Sequence, residues 1–208
     1  MSGLSGKNRF SVDGEGNAMK NDAIIGVDGV ARCPWGTEPQ IYRDYHDQEW
    51  GRSVTGDNAL FERISLEAFQ SGLSWLTILR KREAFRQAFA SFDIDTVAAF
   101  DETDVDRLLS DQGIVRNRAK INATINNAQV ISSLNSPLEE VLWSFQPAAH
   151  SPPQHINEVP ATTEESTALA ARLKKLGFRF TGPTTAYAMM QAIGIVDDHV
   201  AGCHLASG

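Results

Sequence analysis

The chain has 208 residues, of which 42% are hydrophobic and 22% charged, and its net charge is −7. This composition is typical of a soluble globular protein of one or two domains, and it argues against a nonspecific binder of polyanions. No apolar run reaches the length of a membrane-spanning helix, and the first residues lack the apolar centre of a secretory signal. With two cysteines and no export signal, we expect a protein of the reducing cytoplasm without a membrane partner.

Two stretches of the chain lack helical periodicity. Residues 1–28 are rich in Gly, Ser and Asn, so we expect a mobile N-terminal extension or a remnant of cloning there. One helical domain is expected to follow over residues 29–208. Residues 146–161 lack the Gly and Ser repeats of a flexible linker, and we expect this connection to be ordered and packed on the surface.

Helical patterns dominate the rest of the chain. Six helical segments are predicted, over residues 57–72, 74–92, 103–111, 116–134, 162–177 and 183–194. Asp57 is a candidate N-terminal cap, and Thr103 with Asp106 has the spacing of a capping box. No segment alternates apolar and polar residues over six or more positions, so the predicted fold class is all-α.

Charge is unevenly distributed along the middle of the chain. Seven acidic residues and one basic residue lie between positions 93 and 111. Residues 112–138 contain no acidic residue, and Arg116, Arg118 and Lys120 follow one another closely there. This segregation predicts a small phosphate-facing patch on an otherwise acidic protein.

Each of the two cysteines has a histidine nearby in the sequence. Cys33 precedes His46 by 13 residues, and His199 precedes Cys203 by four. Residues four apart on a helix share a face, and two thiolates with two imidazoles suit a tetrahedral Zn²⁺. Such a site would be structural, because four protein ligands leave no position open for water. The alternatives are cysteines that pack as small apolar residues, a disulfide between them, and His204 as a competing ligand.

Glu67 is an acidic residue on an apolar helix face. It follows Ile64 by three residues and Leu60 by seven, so it shares their side of the predicted helix. Burying a carboxylate is unfavourable unless a cation or hydrogen-bond donors compensate. The compensating group is either an Arg or Lys of the protein itself or the polar edge of a bound ligand.

Several longer motifs follow one another between Arg32 and Cys203. They are CPWG, YRDYHDQEWG, LEAFQSGLSWLTILRKRE, DQGIVRNRAKI, WSF and GFRFTGPTTAYAMMQAIGIVDDHVAGC. In this order and spacing they resemble the 3-methyladenine DNA glycosylase I family of the helix–hairpin–helix glycosylases. The resemblance implies that family's helical fold, a bacterial cytosolic protein, and double-stranded DNA with alkylated bases as the partner of a monomer. It also implies one structural Zn²⁺ per chain, held by Cys33, His46, His199 and Cys203.

The hairpin of this superfamily offers backbone N–H groups of a glycine turn to a DNA phosphate. By resemblance the turn contains Gly113, and Arg116, Arg118 and Lys120 supply basic side chains beside it. Val115 stands where the commoner hairpin has a second glycine, so the phosphate geometry departs from the common form. Without the resemblance, the segment is also typical of a plain helix–turn–helix with solvated basic residues.

A glycosylase must flip its target base out of the duplex and into a pocket. The resemblance implies that Glu67 is the catalytic residue and reads the polar edge of the base. Three aromatic residues are implied to stack on the base, with core packing as the alternative: Tyr42, Tyr45 and Trp75. Gly72 and Leu73 lie in the following turn and are candidates for a wedge that fills the gap in the DNA. A core position is the alternative for Leu73.

The resemblance also implies a mechanism. 3-Methyladenine in DNA is cationic, so an aromatic pocket gains a cation–π attraction of about 0.5–2 kcal/mol that neutral adenine lacks. The same charge weakens the glycosidic bond, which implies hydrolysis by water with little acid–base catalysis. Asn117 stands where lyase members of the superfamily carry a nucleophilic Lys, so a monofunctional enzyme without a Schiff base is implied.

Two other functions remain open. One is a noncatalytic module that binds damaged DNA. The other is a zinc hydrolase, which a closed metal site disfavours.

Overall fold

The computed structural model describes residues 23–206, and helices account for most of this range. The helices are α1 (Gln40–Gln48), α2 (Asp57–Gln70), α3 (Trp75–Ala88), α4 (Ile94–Ala98), α5 (Glu102–Ser110), α6 (Arg118–Ser132), α7 (Leu138–Trp143), α8 (Glu164–Leu176) and α9 (Pro183–Ala192). Short 3-10 turns cover Pro34–Gly36, Ala90–Phe92 and Ile156–Glu158. The prediction of a mainly helical fold is confirmed.

A small β-hairpin precedes the helices. The strands β1 (Ile24–Ile25) and β2 (Ala31–Arg32) pair in antiparallel orientation. The all-α prediction missed this hairpin because strands of two residues are too short to show alternation. The predicted domain boundary after residue 28 falls inside the hairpin, where the Asp28 carboxylate accepts a hydrogen bond from the Arg32 guanidinium at 2.9 Å. The earlier part of the predicted extension, residues 1–22, lies outside the described residues.

Some helices begin one or two residues away from their predicted starts. The capping box of α5 is formed by Asp101 with Asp104, not by Thr103 with Asp106. Several Ser, Thr and Asp residues are adjacent at such boundaries, and each of them can accept a hydrogen bond from the first-turn amides. The sequence pattern therefore locates the helix more accurately than it locates the cap.

Asp57 binds the start of a different helix from the one expected. Its carboxylate accepts hydrogen bonds from the amides of Leu138 and Glu139 at 3.0 and 3.2 Å, while Gly56 is the N-cap of α2. In return the Gly56 amide donates to the Glu139 carboxylate at 2.9 Å. A negative charge in the first turn stabilises both helix dipoles, so these contacts tie α2 to α7.

Helix α2 lies at the centre of the core. It contacts α3, α6, α7 and α9, while α4 packs against α6 and α8 against α9. Leu60, Phe61, Ile64 and Leu66 of α2 are buried. The segment around Glu67 is therefore held by several neighbouring helices. Among residues 23–206, no helix combines the length and the hydropathy needed to cross a bilayer.

The connection over residues 146–161 is ordered, as predicted. His150 Nε2 lies 2.9 Å from the Asp197 carbonyl oxygen. Further along, the Ala201 amide donates to the Pro153 carbonyl at 2.8 Å. The connection thus packs against the chain segment that carries His199.

Candidate functional site

Cys33, His46 and Cys203 form a buried cluster. Their possible ligand atoms all lie within 4.8 Å of one another, with 3.5 Å between Cys203 Sγ and His46 Nε2. His46 is on α1, Cys33 precedes the first 3-10 turn, and Cys203 follows α9. Both cysteines are free, so the alternative of a disulfide is wrong. The fold brings three of the four predicted metal ligands together from distant parts of the chain.

His199 lies beside this cluster. Its ring centroid is 5.1 Å from that of His46, and its Nδ1 is 2.7 Å from the Asp197 carboxylate. Its buried Nε2 has no hydrogen-bond partner among residues 23–206. His46 is oriented similarly, with Nδ1 2.8 Å from the Asp47 carboxylate. A carboxylate at Nδ1 favours the tautomer in which Nε2 can bind a metal, so this donor set fits Zn²⁺.

The two thiols of the cluster differ in acidity. A hydrogen bond with Cys33 lowers the pKa of Cys203 to about 3, against the effect of burial and with the help of His46. The neighbouring Cys203 and burial raise the pKa of Cys33 above its ordinary range. Two adjacent thiolates repel each other, so a cation between them is needed to keep both ionised.

His204, the competing ligand, has other partners. Its Nδ1 lies 2.9 Å from the Ala31 carbonyl oxygen, and its Nε2 is 3.7 Å from the Asp47 carboxylate. Both ring nitrogens therefore face oxygen atoms, and His204 is not part of the thiol cluster.

Two glycines that the sequence analysis did not single out give the histidine rings their space. A Cβ atom at Gly36 would lie 2.5 Å from the His46 ring, and one at Gly51 would lie 2.6 Å from the His199 ring. A side chain at either position would displace an imidazole. The motifs CPWG and EWG contain these glycines, but their spacing alone does not show which rings they approach.

Asp198 fixes the loop next to His199. Its carboxylate accepts hydrogen bonds from the Tyr187 hydroxyl at 2.6 Å and from Gln191 Nε2 at 2.7 Å, and both donors are on α9. His150 approaches the same carboxylate at 3.1 Å. Burial and the Asp198 carboxylate raise the pKa of Tyr187 above its ordinary range. Asp198 was not predicted, because its partners are brought together only by the fold.

The three predicted stacking residues lie on two neighbouring helices. Tyr45 of α1 and Trp75 of α3 are buried, with their ring centroids 5.4 Å apart. Tyr42 of α1 is partly exposed, and its hydroxyl accepts a hydrogen bond from the Leu76 amide at 2.9 Å. The structure therefore brings these three aromatic residues to the contact between α1 and α3.

Trp35 and Trp50 extend this aromatic group towards the histidines. The Trp35 ring centroid is 6.3 Å from that of Tyr45 and 4.9 Å from that of Trp50. The Trp50 ring in turn lies 4.7 Å from the His199 ring. Sequence analysis left both tryptophans unassigned, although Trp35 lies two residues after Cys33. The aromatic group and the thiol cluster are therefore in direct contact.

Glu67 is buried inside the fold, with 1% of its surface exposed. It lines a small cavity between α2, α8 and α9, whose other lining residues are Ile64, Leu173, Thr181, Thr185, Ala186 and Met189. Glu67 is the one charged group among these described lining residues. The buried Arg82 of α3 faces different carboxylates, those of Glu49 and Glu62, each at 2.6 Å.

The turn between α2 and α3 projects Leu73 from the surface. Leu73 is 37% exposed and follows Gly72, whose φ of +83° favours glycine. Gln70 Nε2 donates to the Leu73 carbonyl at 2.8 Å, and Ser74 caps α3. The alternative that Leu73 packs in the core is wrong. An exposed apolar side chain on a tight turn suits the predicted wedge.

Gly113 lies in the tight connection between α5 and α6. Its amide donates to the Asp111 carboxylate at 2.7 Å, and a Cβ at this position would lie 2.9 Å from the Ala84 methyl carbon of α3. Lys81 Nζ donates to the carbonyls of Gln112 and Gly113 at 2.9 and 3.0 Å. Glycine thus allows the hairpin to approach α3, and Lys81, which the sequence analysis did not identify, holds it there.

Arg116 and Arg118 are both exposed, but they have different surroundings. The Arg118 guanidinium pairs with Glu102, and with Asp106 at 2.8 Å. Asn117 lies between the arginines and caps α6, since its side chain accepts a hydrogen bond from the amide of the residue three positions later. Arg116 is therefore the better placed of the two arginines to meet a phosphate.

Lys120 has a role that differs from the predicted one. Its side chain is buried, and its ammonium donates to the carbonyls of Phe69 and Ser71 at 2.8 and 2.6 Å. Burial lowers the pKa of Lys120 below its ordinary value. The ammonium satisfies carbonyl groups at the end of α2, so a phosphate contact by Lys120 does not fit this structure. Lys120 instead positions the turn that carries Leu73.

Comparison with known proteins identifies relatives over most of the chain. Residues 35–206 match the methyladenine glycosylase family model. The chain is 45% identical over 181 residues to DNA-3-methyladenine glycosylase 1 of Escherichia coli (strain K12). The matched region covers 84% of this chain and 96% of that protein. It is similar to a crystal structure of 3-methyladenine DNA glycosylase I, with a TM-score of 0.81, 42% identity and coverage of 85% and 100% of the two chains. A variant 3-methyladenine DNA glycosylase I in complex with 3-methyladenine is similar with a TM-score of 0.80, 33% identity and coverage of 85% and 98%. The chain therefore belongs to the methyladenine glycosylase family, as its sequence motifs predicted.

Proposed function

We propose that this protein hydrolyses the N-glycosidic bond of 3-methyladenine in alkylated double-stranded DNA, after flipping the base out of the duplex. The observation that carries this proposal is the placement of Glu67 and Leu73 on one short segment. Helix α2 buries the Glu67 carboxylate, and the turn at its end exposes Leu73. In the proposed function, one rigid unit would thereby carry both the wedge and the carboxylate that reads the base. The family relationship and the bound base in a similar structure support the same substrate.

The substrate supplies part of its own reactivity. A cationic base is a good leaving group, because it departs as a neutral molecule when the glycosidic bond breaks. The Glu67 carboxylate would attract this cation and accept hydrogen bonds from its amino group. The rings of Tyr45 and Trp75 would add a cation–π attraction of about 0.5–2 kcal/mol. Neutral adenine gains neither electrostatic contribution, so the same residues select the damaged base.

We expect water, not an amine of the protein, to attack the deoxyribose. Asn117 serves as the cap of α6, and the Lys120 ammonium is engaged by the carbonyls of Phe69 and Ser71. These contacts support a monofunctional glycosylase, because a Schiff base requires an accessible amine. The product would be an intact abasic strand.

Release of free bases from methylated DNA tests this proposal. We expect chromatography to identify 3-methyladenine as the main released base, and we expect the abasic strand to stay uncut until alkali is added. Borohydride should not trap the protein on the DNA. A folded protein that binds the DNA and releases no base would be a noncatalytic module instead, and a borohydride-trapped complex would contradict the monofunctional mechanism.

We also propose one structural Zn²⁺ per chain, held by Cys33, His46, His199 and Cys203. The support is the pair of imidazoles oriented by Asp197 and Asp47, together with two adjacent thiols that need a cation to ionise together. The metal would join the first part of the helical domain to its last part and stabilise the fold. The metal would take no part in cleavage of the glycosidic bond, which would depend on the residues around Glu67.

A further inference from the structure

Phe180 has an unusual backbone for an aromatic residue. Its φ is +58°, and 41% of its surface is exposed. The other non-glycine residues with positive φ in the described chain lie in the turn Ala90–Phe92, where the phenylalanine is buried. A bulky residue in the left-handed region is strained, and it persists only where surrounding contacts hold it. At Phe180 a strained backbone carries a partly exposed apolar side chain.

Asn127 of α6 supplies the holding contacts. Its side-chain oxygen accepts a hydrogen bond from the Arg179 amide at 2.8 Å, and its Nδ2 donates to the Arg179 carbonyl at 3.1 Å. The neighbouring Asn126 donates to the Gly177 carbonyl at 2.9 Å. Asn127 is 1% exposed, so this two-way contact is part of the interior. Helix α6 thus fixes the backbone immediately before Phe180.

The same side of α6 also holds the turn that carries Leu73. Lys120 and Asn127 are seven residues apart, so their side chains share a face and lie about 10 Å apart along the helix axis. Lys120 binds the end of α2 just before Leu73. Beyond residue 27 of the described chain, Leu73 and Phe180 are the exposed large hydrophobic residues. The second helix of the hairpin therefore positions both of them.

Phe180 lies in an apolar groove with basic residues along it. Lys174 and Arg179 are exposed there, and none of the groove's described lining residues is acidic. The next residue, Thr181, is buried and lines both this groove and the Glu67 cavity. An aromatic ring beside two cations, on a protein with a net charge of −7, fits the bases and phosphates of a DNA strand.

We infer that Phe180 is a second DNA-contacting side chain, which packs against a nucleotide close to the flipped one, and that Asn127 is the residue that positions it. This inference rests on the proposed function, since it requires a duplex docked on the hairpin. Leu73 and Phe180 are both exposed, and α6 holds the segments that carry them, so both would contact the same docked strand.

Phe180→Gly tests this inference because glycine accepts the positive φ without strain. We expect its melting temperature to equal or exceed that of the wild-type protein. Its affinity for a duplex with a tetrahydrofuran abasic analogue should fall by about 5- to 100-fold, since an aromatic contact with a base is lost. Binding of free 3-methyladenine should stay within about twofold, because that ligand needs no contact with the DNA strand.

Val27→Ala is the matched control, since it shortens another exposed apolar side chain, one that is 95% exposed. This variant should bind abasic DNA as the wild-type protein does. A stable Phe180→Gly protein with wild-type affinity for abasic DNA would overturn the inference. A large loss of thermal stability in Phe180→Gly would also overturn it, because the ring would then be a packing residue.

Asn127→Ala tests the positioning role. It should weaken binding of abasic DNA in the wild-type background and add little in the Phe180→Gly background, because Asn127 acts through the ring. Additive losses would contradict that role. A wild-type protein that releases no 3-methyladenine would refute the proposed function. If the wild-type enzyme is active and Phe180→Gly binds DNA as tightly as the wild type does, this inference is refuted and the proposed function is not.

Discussion

Glu67 and Arg82 are buried charged residues on adjacent helices, and their surroundings differ. Arg82 is enclosed by the carboxylates of Glu49 and Glu62. Glu67 lines a cavity whose other described lining residues are apolar or carry a hydroxyl group. The Arg82 network neutralises its charges within the protein, as a structural ion pair does. The placement of Glu67 among uncharged lining residues is compatible with the proposed contact to a cationic base.

Glu67→Gln is the most direct test of the residue that reads the base. The substitution keeps the size, removes the charge and places a donor opposite the amino group of the base. Losing a charge-assisted hydrogen bond and leaving its partner unpaired should cost about 2–4 kcal/mol. Single-turnover excision of 3-methyladenine should therefore fall roughly 30- to 1000-fold.

Two controls separate this role from a structural one. Affinity for abasic DNA should barely change in Glu67→Gln, because no base then occupies the pocket. Glu83→Gln alters a carboxylate of α3 whose side chain is 72% exposed, and its excision rate should match that of the wild type. A stable Glu67→Gln protein with near wild-type excision would end the proposal. Parallel losses of melting temperature and activity would make Glu67 a structural residue.

At the scale of single elements, the hairpin between α5 and α6 combines the turn proposed to face a phosphate with a support for the turn that carries Leu73. Lys81 holds the turn from α3, and Gly113 lets the two approach. Arg116 faces solvent at the start of the second helix, whereas Lys120 points inward to the end of α2. Neighbouring basic residues on one short segment therefore serve different purposes.

Arg116→Ala and Lys120→Met should have different effects on DNA binding. Loss of Arg116 should weaken binding to all sequences similarly and reduce the slope of log K against log salt by about one. Loss of Lys120 should leave this slope unchanged, because its ammonium is engaged by carbonyls. Arg118→Ala should have a smaller effect than Arg116→Ala, since acidic partners already pair with Arg118. Salt titrations of binding measure all three, and an unchanged slope in Arg116→Ala would assign that residue to a solvated face.

Arg82→Met should lower stability in a pH-dependent way. Burial alone would raise the pKa of Glu49 and Glu62, but Arg82, with Arg63 and Arg86, holds both below the ordinary 4.5. Carboxyls with a depressed pKa stabilise the fold above about pH 4.5, and this contribution is lost as the pH falls further. The variant should lose on the order of 2 kcal/mol near neutral pH, between the values for exposed and buried pairs. Unfolding curves should converge with those of the wild type in acid, and a pH-independent difference would contradict the prediction.

At the scale of the whole molecule, the Cys and His cluster joins the two ends of the described chain. Cys33 and His46 come from its beginning, and His199 and Cys203 from its end. Beside the cluster, the His204 amide donates to the Ala31 carbonyl at 2.9 Å, so β2 is attached to the same closing segment. The helices that carry Glu67 and the hairpin lie between these ends in the sequence.

His199→Ala should lose the metal and lower the melting temperature without removing a group that contacts the base. Protein purified without chelator should contain about one Zn²⁺ per chain by elemental analysis. His204→Ala is the matched control, because its ring faces oxygen atoms, and it should retain the metal. Wild-type protein without zinc would refute the metal site. Equal zinc loss in both variants would show that the ligand set is wrong.

Features set by short-range patterns could be predicted from the sequence, whereas contacts between distant residues could not. Helical periodicity located α2 and α6, and the close spacing of His199 and Cys203 indicated part of a metal site. The partner of Lys120 lies 51 residues away at Phe69, and Asp57 reaches 81 residues to the start of α7. Side chains that can serve equally as caps, phosphate ligands or internal supports are assigned a role only by the packed fold.

The closing cluster also determines when the domain can be completed during synthesis. His46 contacts Cys203 across 157 residues of sequence, and Trp50 makes an edge-to-face contact with His199. A ribosome that adds about 5–20 residues per second makes the second partner on the order of 10 s after the first. Throughout that interval Trp35 and Trp50 lack the surface that later buries them, and they are exposed to chaperones and to other nascent chains. The segment around His199 and Cys203 therefore shields aromatic residues that are made well before it.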